Sequence, residues 1–218
     1  MTKPIARRIR MAALSLGVSL FAVTALADSA LTEVMEACGG QFETRGDIAS
    51  FLSNAGWVPA AEDQRPLLED LATLDNAHGS LPQYPLRPMQ PVRQQLIVNY
   101  WIDTQTGTRS GPFAIMVRPT EPPAILVVSD WTSAQPVRQI CLLGIGAEMG
   151  LRDAASLLPG QPTPAVRLGR WSTVIGQYGE TGTLATFDML TVDRDHLTDR
   201  LGRTPQLFSV LEVSVPWK

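Results

Sequence analysis

Near Gly111 the apolar residues change their spacing, and this limits what the chain can fold into. Before that point they recur at helical intervals. Leu31, Val34, Met35 and Cys38 fall at i, i+3, i+4, i+7, one face of a helix that Gly39-Gly40 stops. Asp47 is placed to cap a second helix, with Ile48, Phe51, Leu52 and Ala55 on one face and Gly56 at its end. A third helix is predicted over 62–77 from Leu67, Leu68, Leu71 and Leu74, with Gly79 ending it. Pro66 is tolerated there only in the first turn.

After Gly111 the apolar residues gather into short runs bounded by turn residues. The predicted strands are Pro112–Val117, Ala124–Val128, Val137–Leu143, Trp171–Tyr178, Thr183–Val192 and Leu207–Val215. Arg118–Pro123 and Gly179–Gly182 read as hairpin connections. In the last strand Leu207, Leu211, Val213 and Val215 share one face, and Glu212 and Ser214 share the other. That alternation predicts one packed and one wetted face. Helices are expected at 147–158 and 194–201. Helices followed by hairpin-linked strands define an α+β fold. The expectation is N-terminal helices packed on a largely antiparallel sheet of about five to six strands, with one or two inserted helices.

Between these parts Pro82, Pro85, Pro88 and Pro91 recur every third residue, which suits an extended connector. Residues 92–103 carry both signals. Val92, Leu96, Ile97, Tyr100 and Trp101 have helical spacing, while Ile97–Ile102 is rich in strand formers; we assign helix.

The N-terminus carries an address. Lys3, Arg7, Arg8 and Arg10 precede an uncharged, mostly apolar run from Met11 to Ala27 that closes on Ala25-Leu26-Ala27. This is the pattern of a cleaved secretory signal. The run is shorter than the roughly 20 apolar residues that a membrane span needs. Arg10 stands where a twin-arginine signal would carry an apolar residue. The expected organisation is a leader at 1–27 and one domain at 28–218. That domain divides into a helical part (28–80), a proline-rich connector (81–91) and a sheet-forming part (92–218).

The whole chain has a formal charge of −3, and the leader holds four cations and no anion, so the mature protein is more acidic still. Affinity for nucleic acid rests on neutralising phosphates, so such a partner is not expected. Neither is an electrostatic hold on a membrane surface, nor stable insertion after cleavage. The two cysteines, Cys38 and Cys141, are read as one disulfide, because an exported chain meets an oxidising compartment.

Gly144-x-Gly146-x-x-x-Gly150 invites comparison with a phosphate-cradling loop. The third glycine comes one residue late. Residues 164–172 offer no acid for a ribose, and the preceding strands read as hairpins rather than a parallel βαβ unit. No cofactor is therefore expected. Gly144 and Gly146 are read as turning the chain into a helix near Ala147, with Glu148 in its first turn, where a carboxylate complements the dipole.

The remaining candidates are weaker. Asp195, His196 and Asp199 have helical spacing that could serve acid/base chemistry or a metal, but Asp193 capping a short helix explains them as well. His78 sits at a helix C-terminus, where a partly charged imidazole is favourable. No serine has nucleophile-elbow spacing. Ser129, Asp130 and Trp131 near a strand end, together with Trp171, are the best candidates for binding a protein, peptide or saccharide. The leading expectation is an exported, non-catalytic binding or accessory protein. The alternatives are a hydrolase using dispersed carboxylates and an assembly protein pairing through an edge strand.

Overall fold

The structure is a computed structural model, and it describes residues 29–39, 42, 44–80, 114–131, 138–149, 166–168, 171–178 and 185–216. The leader, the proline-rich connector, the ambiguous 92–103 segment, residues 150–158 of the expected helix and the 179–182 loop lie outside them.

Among the described residues there are four α-helices: α1 (29–38), α2 (Arg45–Asn54), α3 (Arg65–Ser80) and α4 (Arg194–Leu201). The spaced residues of α1 are all buried, as are Ile48 and Leu52 of α2 and the four leucines of α3. Pro66 falls in the first turn of α3, as its missing N–H requires. The cap of α2 corrects the sequence reading. It is Thr44, whose hydroxyl accepts from the Asp47 N–H at 3.1 Å and donates to the Asp47 carboxylate at 2.7 Å. The extended backbone of Thr44 lets its short side chain reach the N3 amide, which leaves Asp47 inside the first turn. Gly56, at φ 91°, follows the helix end in the left-handed region. α4 starts and stops as expected. Asp193 accepts from the His196 N–H at 3.1 Å, and Gly202 closes the helix at φ 64°.

Among the described residues eight strands form one antiparallel sheet. They are β1 (Val58–Pro59), β2 (Ala114–Arg118), β3 (Ala124–Trp131), β4 (Arg138–Ile145), β5 (Val166–Leu168), β6 (Trp171–Tyr178), β7 (Ala185–Val192) and β8 (Ser209–Pro216). The order is β1-β2-β3-β4-β8-β7-β6-β5. Six of these answer to the strands read from the sequence; the short β1 and β5 extend the sheet at its edges. The fold is thus two antiparallel meanders joined where β4 pairs with β8, from Arg138↔Pro216 to Ile145↔Ser209.

Both faces of the sheet are packed, which corrects the expectation of a wetted face. Alternate residues Met116, Leu126, Val128, Cys141, Leu143, Phe187, Leu211 and Val213 meet α1, α2 and Trp57. The opposite set, including Ile115, Val117, Ile125, Val127, Leu142, Leu190 and Val210, meets α3 and Leu197 of α4. Ser214, expected in water, is buried. Alternation in β8 alone misled, because Val210 and the preceding Phe208 make that face apolar at the other end of the strand.

Glycine marks two tight approaches. A Cβ on Gly144 would lie 2.6 Å from Leu207 Cδ1 and 3.1 Å from Leu71 Cδ1, so its missing side chain admits α3 onto the sheet. On Gly176 a Cβ would stand 2.1 Å from Phe187 Cζ, its direct partner across β6–β7. Phe187 is itself buried and has little room to retreat. Gly176→Ala is therefore expected to destabilise the fold by about 1–3 kcal/mol, as overpacking does. A urea midpoint equal to that of the parent would disprove this.

Candidate functional site

Cys38 of α1 and Cys141 of β4 form a disulfide, with Cα atoms 6.2 Å apart and 103 residues of separation. The same helix is held a second way. Glu33 of α1 accepts from Trp57 Nε1 at 2.8 Å and from the Ser29 hydroxyl at 2.8 Å, and it pairs with Arg118 of β2 at 3.1 Å. Arg118 also donates to Ser29 Oγ at 3.1 Å. Apart from Ser29 and Glu33, one helical turn apart, these partners lie 24 to 89 residues from one another, so no local spacing announced them.

The residues singled out from sequence do not converge. Ser129, Asp130 and Trp131 pair with Ile140, Gln139 and Arg138 at one end of β3–β4, and Arg138 in turn pairs with Pro216. Trp171 pairs with Val192 on β7. Val192 in turn donates to the carbonyl of Phe208, just before β8. The two tryptophans therefore occupy opposite ends of the sheet, four strand spacings apart, or about 19 Å across it. Asp195 and Asp199 are exposed on α4, and the His196 amide is taken up by the Asp193 cap. Among the described residues no group of three or more His, Cys, Asp or Glu side chains is disposed to hold a metal ion.

The glycine loop has a different role from the one read in the sequence. Residues 147–149 are not helical. Glu148 instead accepts from the backbone N–H of Arg194 at 2.8 Å, so its charge complements α4. Arg194 stays close, with Nε 3.8 Å from Glu148 and its guanidinium 4.0 Å above the Phe208 ring. Gly146 follows β4, and a Cβ there would meet Pro123 Cδ at 2.6 Å and the Gln206 carbonyl at 2.7 Å. Neither Gly144 nor Gly146 has positive φ, so both are required by packing and not by a turn.

Two groups of acids were invisible in the sequence. Asp70, 1% exposed on α3, holds the chain that leads into β8. It pairs with Arg203 and accepts from the Gln206 N–H at 2.6 Å. Asp188 and Glu212 are direct partners across β7–β8. Residues so placed have Cβ atoms about 4.5–5.5 Å apart, and two like charges there are unfavourable. Neither acid is without a partner. Each is the only charged residue of its strand, the one sequence signal that could have marked them; their pairing depends on register.

Fold and site together define an α+β protein whose single antiparallel sheet is covered by helices on both faces and tied to its N-terminal helix by a disulfide. No family model, curated protein or solved structure matches the chain. Among the described residues no helix is long and apolar enough to cross a membrane.

Proposed function

We propose that the protein is exported, loses residues 1–27, and works outside the cytoplasm as a non-catalytic binding or accessory protein for a protein, peptide or saccharide. The Cys38–Cys141 bond carries the export reading, since such bonds persist in oxidising compartments. The basic head and the Ala25-x-Ala27 pattern point the same way. Support for a non-catalytic role is that the acids whose contacts are seen hold the fold. Glu33 holds α1, Asp47 accepts from the Thr44 cap of α2, Asp193 caps α4, Glu148 serves α4, and Asp70 holds the 203–206 segment. Pairing through an edge strand has less support, because the outermost described strands are two and three residues long and one contains Pro59.

The test is expression in a bacterium with the leader intact. Intact mass should give an extracytoplasmic protein beginning at Asp28, and native mass spectrometry should show a copurified ligand or partner. Protein extracted from membranes with residues 1–27 retained would remove the export reading.

The register of β7 and β8 favours one other reading, a hydrolase using the facing carboxylates Asp188 and Glu212. On that reading Asp188→Asn and Glu212→Gln would each abolish turnover of a glycoside, ester or peptide substrate while the melting temperature held. No turnover by the parent across these three classes leaves the binding role as the reading.

A further inference from the structure

We infer that Glu33 gates the Cys38–Cys141 bond: while its contacts hold α1 on the sheet, the bond is closed to thiol reductants. A dithiol reduces such a bond in two balanced steps. Its thiolate attacks one cysteine sulfur, the S–S bond breaks, and the other sulfur leaves as a thiolate that takes a proton from water. The second thiolate of the reductant then displaces the first cysteine and closes a disulfide of its own, so two protein thiols remain and the dithiol is oxidised. The first step needs a sulfur that the reductant can reach. Cys38 and Cys141 are both buried in the apolar cluster between α1 and the sheet. β4 cannot move aside, because it is paired along its whole length with β3 on one side and β8 on the other. The cover that can lift is α1. Its last residue, Cys38, is the one tied to β4, so lifting begins at the other end of the helix. Glu33 opposes that movement. Its Oε1 accepts from the Ser29 hydroxyl at 2.8 Å and pairs with Arg118 Nη2 at 3.1 Å, while its Oε2 accepts from Trp57 Nε1 at 2.8 Å. One carboxylate thus fastens α1 to β2 and to the segment that follows α2. These contacts are charge-assisted, and the Trp57 and Arg118 side chains are largely shielded from water. Cys38 lies about 7.5 Å further along the helix axis, so clamp and crosslink hold the same short rod at two points. The sulfurs are exposed by lifting α1 about Cys38, and the population of that open state sets the reduction rate.

The experiment follows the appearance of thiols in the purified, oxidised full-length protein at fixed dithiothreitol concentration and pH, read by alkylation and intact mass. Glu33→Ala is expected to speed reduction at least ~10-fold, the effect of losing hydrogen bonds to a charged group. Glu33→Gln can still accept from Trp57 but loses the ion pair with Arg118, so its rate should fall between the two. Asp70→Ala is the control. It weakens the hold of α3 on the 203–206 segment, across the sheet from α1, and should leave the reduction rate at the parent value although it lowers the urea midpoint. Acceleration by Asp70→Ala in proportion to its lost stability would show that reduction waits on global unfolding, and would overturn the gate. A Glu33→Ala rate equal to that of the parent would overturn it too, and would place the opening at the Cys38 end of the helix. If Glu33→Ala does not fold, Glu33→Gln decides alone: a faster rate than the parent supports the gate and an equal one overturns it.

Discussion

Reduction of the Cys38–Cys141 bond is expected to lower stability by about 2–4 kcal/mol, and the chain-entropy model for a loop near 100 residues allows up to about 4.7. The bond closes 103 residues of chain and joins α1 to the centre of the sheet. Both sulfurs lie in the apolar cluster on the α1 face, so after reduction the thiols can remain as small buried apolar groups. The loss therefore comes mainly from the unfolded chain, which regains the freedom the crosslink removed. An ordinary domain is stable by roughly 5–15 kcal/mol, so this is a large share. For a domain of this size it corresponds to a melting temperature lower by roughly 5–15 °C. Calorimetry with and without reductant checks this, and superimposable melts would refute it. Thiol titration of denatured, unreduced protein should find no reactive thiol.

The second large effect is an asymmetry between Arg203 and Asp70. Arg203→Ala is expected to cost about 3–5 kcal/mol, the penalty for removing one partner of a buried charge. It leaves the Asp70 carboxylate, 1% exposed, with only the Gln206 N–H of the two donors seen here. Asp70→Ala should cost less, about 1–3 kcal/mol. It strands the Gln206 amide, but the Arg203 side chain, 41% exposed, can turn to water. Replacing both by leucine should recover part of the loss, since an apolar pair carries no desolvation penalty. Urea unfolding of the three variants measures the order directly. Asp70→Ala proving the more damaging single change would falsify this account.

Much of the local architecture was legible in the residues alone. The limits of β6 and α4, the Asp193 cap, the buried stripes of α1 and α3 and the α+β order all follow from spacing within a few residues. Helix periodicity, strand alternation and capping are short-range physics, and a sequence carries them openly. The disulfide was legible for a different reason: with two cysteines in a chain read as exported, there is only one bond to form. Tertiary structure decided the rest. It set the meeting of β4 with β8, the covering of both sheet faces, the service of Glu148 to α4, the Asp70–Arg203 pair and the facing of Asp188 and Glu212. Glu148 and Arg194 are 46 residues apart, and Asp70 and Arg203 are 133 apart. Such contacts depend on strand register and on which face each helix covers, and both are set by the packing of the whole core. Gly144 shows the boundary within a single residue. Its sequence context suggested a turn, while Leu71 and Leu207, brought over it by the fold, are the reason no side chain fits there.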